Sequence, residues 1–182
     1  MVKLVIYGTG PMAALAHFYF TQDSPHRVVG FTTDRATMTE TTMLGLPVVP
    51  FDEVERHFAP RLHAAFVALP DGRLNIARAD LVEEVHGKGY AVASYLSSKA
   101  AYWSGLKLED NCFILENVTI QPFARLGRNI VLWSGSQIGH NAKVGDHAFI
   151  GAQAVVSSAA EVGEGSTIGA NATIGERVKI GR

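Results

Sequence analysis

The chain has 182 residues, 47% of them hydrophobic, with 16 basic and 17 acidic side chains and a formal net charge of -1. That length holds at most two small domains, and the balanced charge offers no basic stripe for nucleic acid. No run approaches the roughly 20 apolar residues of a membrane helix, the apolar start Met1 to Tyr7 is too short for a signal peptide, and the single cysteine, Cys112, excludes an intrachain disulfide, so a cytoplasmic protein is expected.

In chain order, Val2 to Tyr7 reads as a buried strand. Gly8-Thr9-Gly10-Pro11-Met12-Ala13 follows and opens a helix over Ala13 to Thr21, with Leu15, Phe18 and Tyr19 at helical spacing. Arg27 to Phe31 reads as a second strand, ending near Asp34, and Pro47 to Val49 as a short extended piece. Phe51 to His57 reads as a helix, Ala64 to Leu69 as a strand, Arg73 to His86 as a helix and Tyr90 to Tyr95 as a last strand. Strands alternating with helices predict a parallel sheet with helices on its faces.

Gly8-x-Gly10-x-x-Ala13 fits the dinucleotide fingerprint, with an acidic residue, Asp34, near the expected distance. The glycines permit a tight turn, and the helix N-terminus offers free N–H groups to a phosphate. The plainer reading is a glycine turn that only joins strand to helix, with Asp34 a solvated loop residue. The segment has room for one small Rossmann-like unit. It is read as holding a nucleotide or a nucleotide-linked sugar rather than a redox cofactor.

From Leu106 the chain falls into blocks of six: LKLEDN, CFILEN, VTIQPF, ARLGRN, IVLWSG, SQIGHN, AKVGDH, AFIGAQ, AVVSSA, AEVGEG, STIGAN, ATIGER and an incomplete VKIGR. The third position is aliphatic in every block, from Leu108 and Ile114 through Ile138 and Val156 to Ile180. The first is usually small, and from Gly127 on the fourth is usually Gly. A period of six fits neither a helix nor a flat strand. It fits a short strand and a turn, repeated, with three blocks to a triangular coil. The third residue is expected to fill the core, the first to crowd a corner, and the fourth to be Gly because a corner needs backbone freedom. Residues eighteen apart then stack at about 4.8 Å. A β-sandwich, the other all-β option, predicts irregular strand lengths and loop insertions, and none interrupts this register. The fold expected is a small Rossmann-like domain over residues 1–98 followed by a left-handed parallel β-helix over 99–182.

On the segments YGTGPMAALAHFYF, LGLPVVPFDEV, SYLSSKAAYW and IGHNAKVGDHAFIG, nearly the whole chain resembles the bacterial sugar acetyltransferases related to sialic-acid O-acetyltransferase and bacillosamine N-acetyltransferase. The resemblance implies trimers, acetyl-CoA as co-substrate in a groove between neighbouring β-helices, and a nucleotide-activated sugar held partly by the N-terminal domain through Gly8, Gly10 and Asp34. It implies that His140 is the general base, since an imidazole near neutral pKa takes a proton from an attacking amine or hydroxyl. A carboxylate often follows that histidine in the family. Here Asn141 stands there, able to orient the ring but not to stabilise an imidazolium by charge. Ser158, eighteen residues beyond His140, matches a position whose backbone N–H faces the acyl oxygen. His147 is a second candidate, contacting substrate across a subunit boundary, with a solvated corner histidine as its plainer reading. Pro11-Met12 departs from the family's glycine loop, and Trp133, which breaks the Gly preference, is assigned to core or interface packing.

Two rivals remain at this level. A γ-type carbonic anhydrase needs three histidines around zinc, and the repeat supplies His140 and His147, so no metal site is expected. A non-catalytic sugar-nucleotide-binding trimer with an incomplete CoA site is the other, because the last block stops at Arg182 without a cap over its strand edge.

Overall fold

An apolar, β-branched run such as Leu4-Val5-Ile6 belongs in the middle of a sheet covered on both faces. β1 (Lys3–Tyr7) takes that place, with Leu4, Val5 and Ile6 fully buried. β2 (Arg27–Thr33) and β5 (His63–Val67) pair with it in parallel, one on each side. β3 (Thr42–Met43) turns back antiparallel onto β4 (Leu46–Pro50), which pairs with β2, and β6 (Ala91–Val92) follows β5. The strand order is β3-β4-β2-β1-β5-β6. The first helix, α1 (Pro11–Gln22), begins two residues before the expected start, because Pro11 at the first helical position gives up only an N–H that has no partner there. α1 buries Ala13, Ala16 and Phe20. Phe51 to His57 is a 3₁₀ turn over Phe51–Glu53 followed by the single α-turn α2 (Val54–His57), not one regular helix.

The computed structural model describes residues 1–69 and 74–181, which form two units. Residues 1–69 and 80–93 make the α/β unit, whose core includes Val5, Val67, Val82 and Val85. Residues 74–79 and 94–181 make the second. α3 (Leu74–Gly87) therefore contributes its first turns to the second unit and the remainder to the first. Arg73, at the expected start of this helix, lies outside the described residues.

The second unit is a parallel β-helix of two-residue strands on three faces. One face stacks β7 (Tyr95–Leu96), β9 (Phe113–Ile114), β12 (Val131–Leu132), β15 (Phe149–Ile150) and β18 (Thr167–Ile168). The next stacks β8 (Ala101–Tyr102), β10 (Thr119–Ile120), β13 (Gln137–Ile138), β16 (Val155–Val156) and β19 (Thr173–Ile174). The third stacks β11 (Arg125–Leu126), β14 (Lys143–Val144), β17 (Glu161–Val162) and β20 (Lys179–Ile180). Register follows the repeat: Ile120 lies on Ile138, Ile138 on Val156 and Val156 on Ile174. The third-position aliphatics fill the core as expected.

Two readings of the block change. The first position is core rather than corner edge: Ala142, Ala148, Ala154 and Ala160 are fully buried beside the aliphatics. The fourth-position glycines are not the left-handed residues. That conformation falls on the sixth position, at every sixth residue from Asn111 through Asn129, Asn141, His147 and Ala159 to Arg177. Asn tolerates positive φ better than other side chains, which accounts for its recurrence there. The fourth position needs Gly for room. A Cβ on Gly139, Gly145 or Gly151 would stand 2.6–2.7 Å from a backbone nitrogen of the next coil.

Candidate functional site

His140 sits at the corner between β13 and β14, and its side chain is exposed. Its backbone is tied above and below. Its N–H donates to Gln121 Oε1 of the preceding coil at 2.9 Å, and its carbonyl accepts from Ala159 N–H of the following coil at 2.9 Å. Its ring is held by its neighbour, with Asn141 Nδ2 3.1 Å from Nδ1. Asn141 occupies the left-handed corner, φ 58, which turns its short side chain back toward the histidine.

Ser158 lies on the same corner one coil on. Its carbonyl accepts from Arg177 N–H at 3.2 Å, while its own N–H has no acceptor among the described residues. The corresponding N–H of the preceding coil, on His140, is the one taken by Gln121. Nothing equivalent reaches Ser158, and the bare Cα of Gly139 leaves space beneath it. The structure thus puts His140, Asn141 and Ser158 together. Gln121 belongs with them and was missed from sequence, although its nineteen-residue separation from His140 is nearly one coil.

The same corner continues downward as a cleft of about 480 Å³ lined by Trp103, Leu106, Ile120, Gln121, Pro122 and Phe123. Trp103 is 69% and Phe123 80% exposed. Large aromatics this open mark a surface that meets something apolar. Trp133 is half-buried with its ring 6.2 Å from that of Phe149, which fits the packing role expected for it.

His147 is elsewhere. It occupies the next corner, between β14 and β15, and only 8% of it is exposed. Its Nδ1 is 2.8 Å from Asn129 Nδ2, and its carbonyl accepts from Arg78 Nη2 at 3.0 Å. Burial lowers its pKa most, opposed by Asp146. The structure does not bring it to the His140 corner, and the open position expected for a substrate contact is absent.

In the α/β unit the two loop glycines have different reasons to be glycine. Gly8 has φ +118, and a Cβ there would stand 2.8 Å from the Ala68 carbonyl oxygen, so the fold itself demands it. Gly10 caps α1 with φ -89, and a Cβ there would meet nothing within 4 Å among the described residues. Among the described residues its lack of a side chain has no internal cause, and it leaves open space before the helix N-terminus. Asp34 is exposed and bonded to the Tyr7 hydroxyl, whose pKa burial and then Asp34 push upward. A small polar cleft lined by Thr9, Thr39, Glu40 and Thr42 lies beside the loop. Among the described residues no three His, Cys, Asp or Glu side chains converge as a metal site, and no helix is long and apolar enough to cross a membrane.

The bacterial transferase hexapeptide family (six repeats) matches residues 124–158 and 141–176. No curated protein matches the chain. Among solved structures, PerB from Caulobacter crescentus in complex with CoA and GDP-perosamine is 19% identical, with TM-score 0.77 over 97% of this chain and 90% of that one. The acetyltransferase domain of PglB from Neisseria gonorrhoeae is 18% identical, with TM-score 0.75 over 99% and 96%. WeeI from Acinetobacter baumannii is 16% identical, with TM-score 0.70 over 98% and 94%.

Proposed function

We propose that this chain, whose repeat matches the bacterial transferase hexapeptide family and whose fold is that of PerB and the PglB acetyltransferase domain, transfers the acetyl group of acetyl-CoA to an amino or hydroxyl group of a nucleotide-activated sugar. One observation carries this reading: the exposed imidazole of His140 and the open N–H of Ser158 stand on the same corner of successive coils. PerB, which shares the fold, binds CoA and GDP-perosamine.

The chemistry follows from the two groups. The sugar amine or hydroxyl attacks the thioester carbon. His140 takes the proton that the nucleophile loses as the new bond forms. The negative charge on the carbonyl oxygen is met by the Ser158 N–H. Collapse breaks the carbon–sulfur bond, and the imidazolium returns the proton to the departing CoA thiolate. For His140 to accept at Nε2, its Nδ1 must carry the proton and donate it. The Asn141 amide, exposed and able to turn over, then presents Oδ1 to Nδ1–H instead of Nδ2. Gln121 fixes the backbone from which the ring projects.

The open cleft at Trp103 and Phe123 supports a homotrimer in which this corner faces a neighbouring subunit. The space at Gly10, beside the polar cleft that Thr9 lines, supports the α/β unit as the holder of the sugar's nucleotide. The deciding experiment is acetyl-CoA turnover on a panel of nucleotide-linked amino sugars, with loss of activity in His140→Ala. Binding of such a sugar without turnover favours instead the non-catalytic reading.

A further inference from the structure

One corner of the β-helix is built differently from the others. Its left-handed positions, eighteen residues apart, are Asn111, Asn129, His147 and Gly165. The first three form a ladder of side chains that is almost closed to solvent, at 1%, 0% and 8% exposure. Asn111 Nδ2 donates to Asn129 Oδ1 at 2.8 Å, and Asn129 Nδ2 is 2.8 Å from His147 Nδ1.

The first turns of α3 close over this ladder. Arg78, 1% exposed, donates from Nε to Asn129 Oδ1 at 3.0 Å, and from Nη2 to the carbonyls of Asn129 and His147 at 3.2 and 3.0 Å. One turn earlier, Asn75 Nδ2 donates to the Gly165 carbonyl and to Thr167 Oγ1.

These bonds fix proton positions. Asn129 Oδ1 accepts two donors, from Arg78 and Asn111, so the amide cannot turn over without setting its own N–H groups against both. Its Nδ2 must therefore point at His147, and His147 Nδ1 must accept. The ring is neutral with its proton on Nε2. A second proton, on Nδ1, would face a donor, with no acceptor for it among the described residues.

We infer that His147 is a pH-sensitive latch: neutral, it completes the ladder on which Arg78 docks the first turns of α3; protonated, it breaks the ladder and loosens that docking. The charged groups that face the ring are Asp146, Glu164 and Arg128 from the coil and Arg78 from α3. Burial lowers the ring's pKa, the two carboxylates oppose this, and the two guanidinium groups reinforce it. The sign follows from linkage. With the folded pKa below the unfolded value of about 6.5, the unfolded chain binds more protons. The latch is fully formed above that value and is lost as the pH falls below it.

The test uses the whole protein and His147→Asn. Asparagine suits the left-handed corner, and its Oδ1 can accept from Asn129 as Asn129 Oδ1 accepts from Asn111, so the ladder stays whole without a titrating group. The Arg78 Nε–H resonance and the melting temperature are followed from pH 8 to pH 5. The wild type should lose the resonance and several degrees of melting temperature below pH 6.5, and His147→Asn should keep both. Parallel loss in the two proteins, or no change in either, overturns the latch. Should His147→Asn fail to fold, the ring nitrogens of the wild type decide. An Nε2–H tautomer at pH 8, with loss of the Arg78 signal tracking the titration of His147, supports it. An Nδ1–H tautomer, or titration without change at Arg78, overturns it.

Discussion

Gly139 lies directly beneath Ser158: a Cβ on Gly139 would stand 2.6 Å from the Ser158 nitrogen and 2.7 Å from the carbonyl carbon of Ser157. The amide proposed to meet the acyl oxygen is open because Gly139, in the place from which Gln121 reaches the His140 N–H one coil earlier, has no side chain. Gly139→Ala should push that corner outward and cost about 1–3 kcal/mol of stability, as overpacking does. Denaturant unfolding reads the cost. Below the unfolding transition kcat should fall by about 10²-fold or more, the scale for loss of one oxyanion donor.

The glycines at the start of the chain should separate fold from function. Gly8→Ala places a Cβ against the Ala68 carbonyl at φ +118 and should cost on the order of 1–3 kcal/mol whatever the ligand. Gly10→Ala meets nothing among the described residues and should leave the melting temperature within a few degrees. It should nevertheless raise KM for the nucleotide-linked sugar without changing KM for acetyl-CoA. Equal effects on both substrates would contradict a nucleotide at this loop.

Asn141→Asp tests the partner of the proposed general base. The left-handed corner at φ 58 accepts Asp nearly as well as Asn. A carboxylate beside Nδ1 favours the protonated ring and enforces the Nδ1–H tautomer. The acid limb of the kcat/KM profile should move to higher pH, with an equal or higher plateau above it. An unmoved profile would mean that the side chain at 141 does not face the working imidazole.

Phe123→Asp tests the proposed subunit boundary. Phe123 is 80% exposed on the corner of His140, so the substitution removes no internal packing. Light scattering should show a folded monomer in place of a trimer, with activity lost in parallel. A trimer that survives the change would put the interface on another face.

Much of the β-helix was legible because its third-position aliphatics, from Leu108 to Ile180, are core residues whose identity depends only on burial. The left-handed corner was not, because Phe123, His147, Gln153 and Ala159 share that position with asparagine and hide its conformation from composition. The β3–β4 hairpin was missed for a similar reason. Its two-residue turn places Leu44 at φ 51 ahead of Gly45 at φ 76, where Asn or Gly is the usual signal. Tyr95, read as the end of the last Rossmann strand, begins the first coil instead. His140, Asn141 and Ser158 were legible as a group because the eighteen-residue coil brings them together. The burial of His147 was not, since it depends on Arg78, 69 residues away in sequence.

His140 is proposed to remove the acceptor's proton. The most direct measurement is kcat of His140→Ala against the wild type, with acetyl-CoA and a nucleotide-linked amino sugar that the wild type turns over. The ring is exposed and outside the packed core, so the variant should remain folded and bind both substrates nearly as before. A positioned base contributes roughly 10²–10⁴ in rate, and kcat should fall by that factor. Near-full activity across the pH range in the variant would contradict the mechanism.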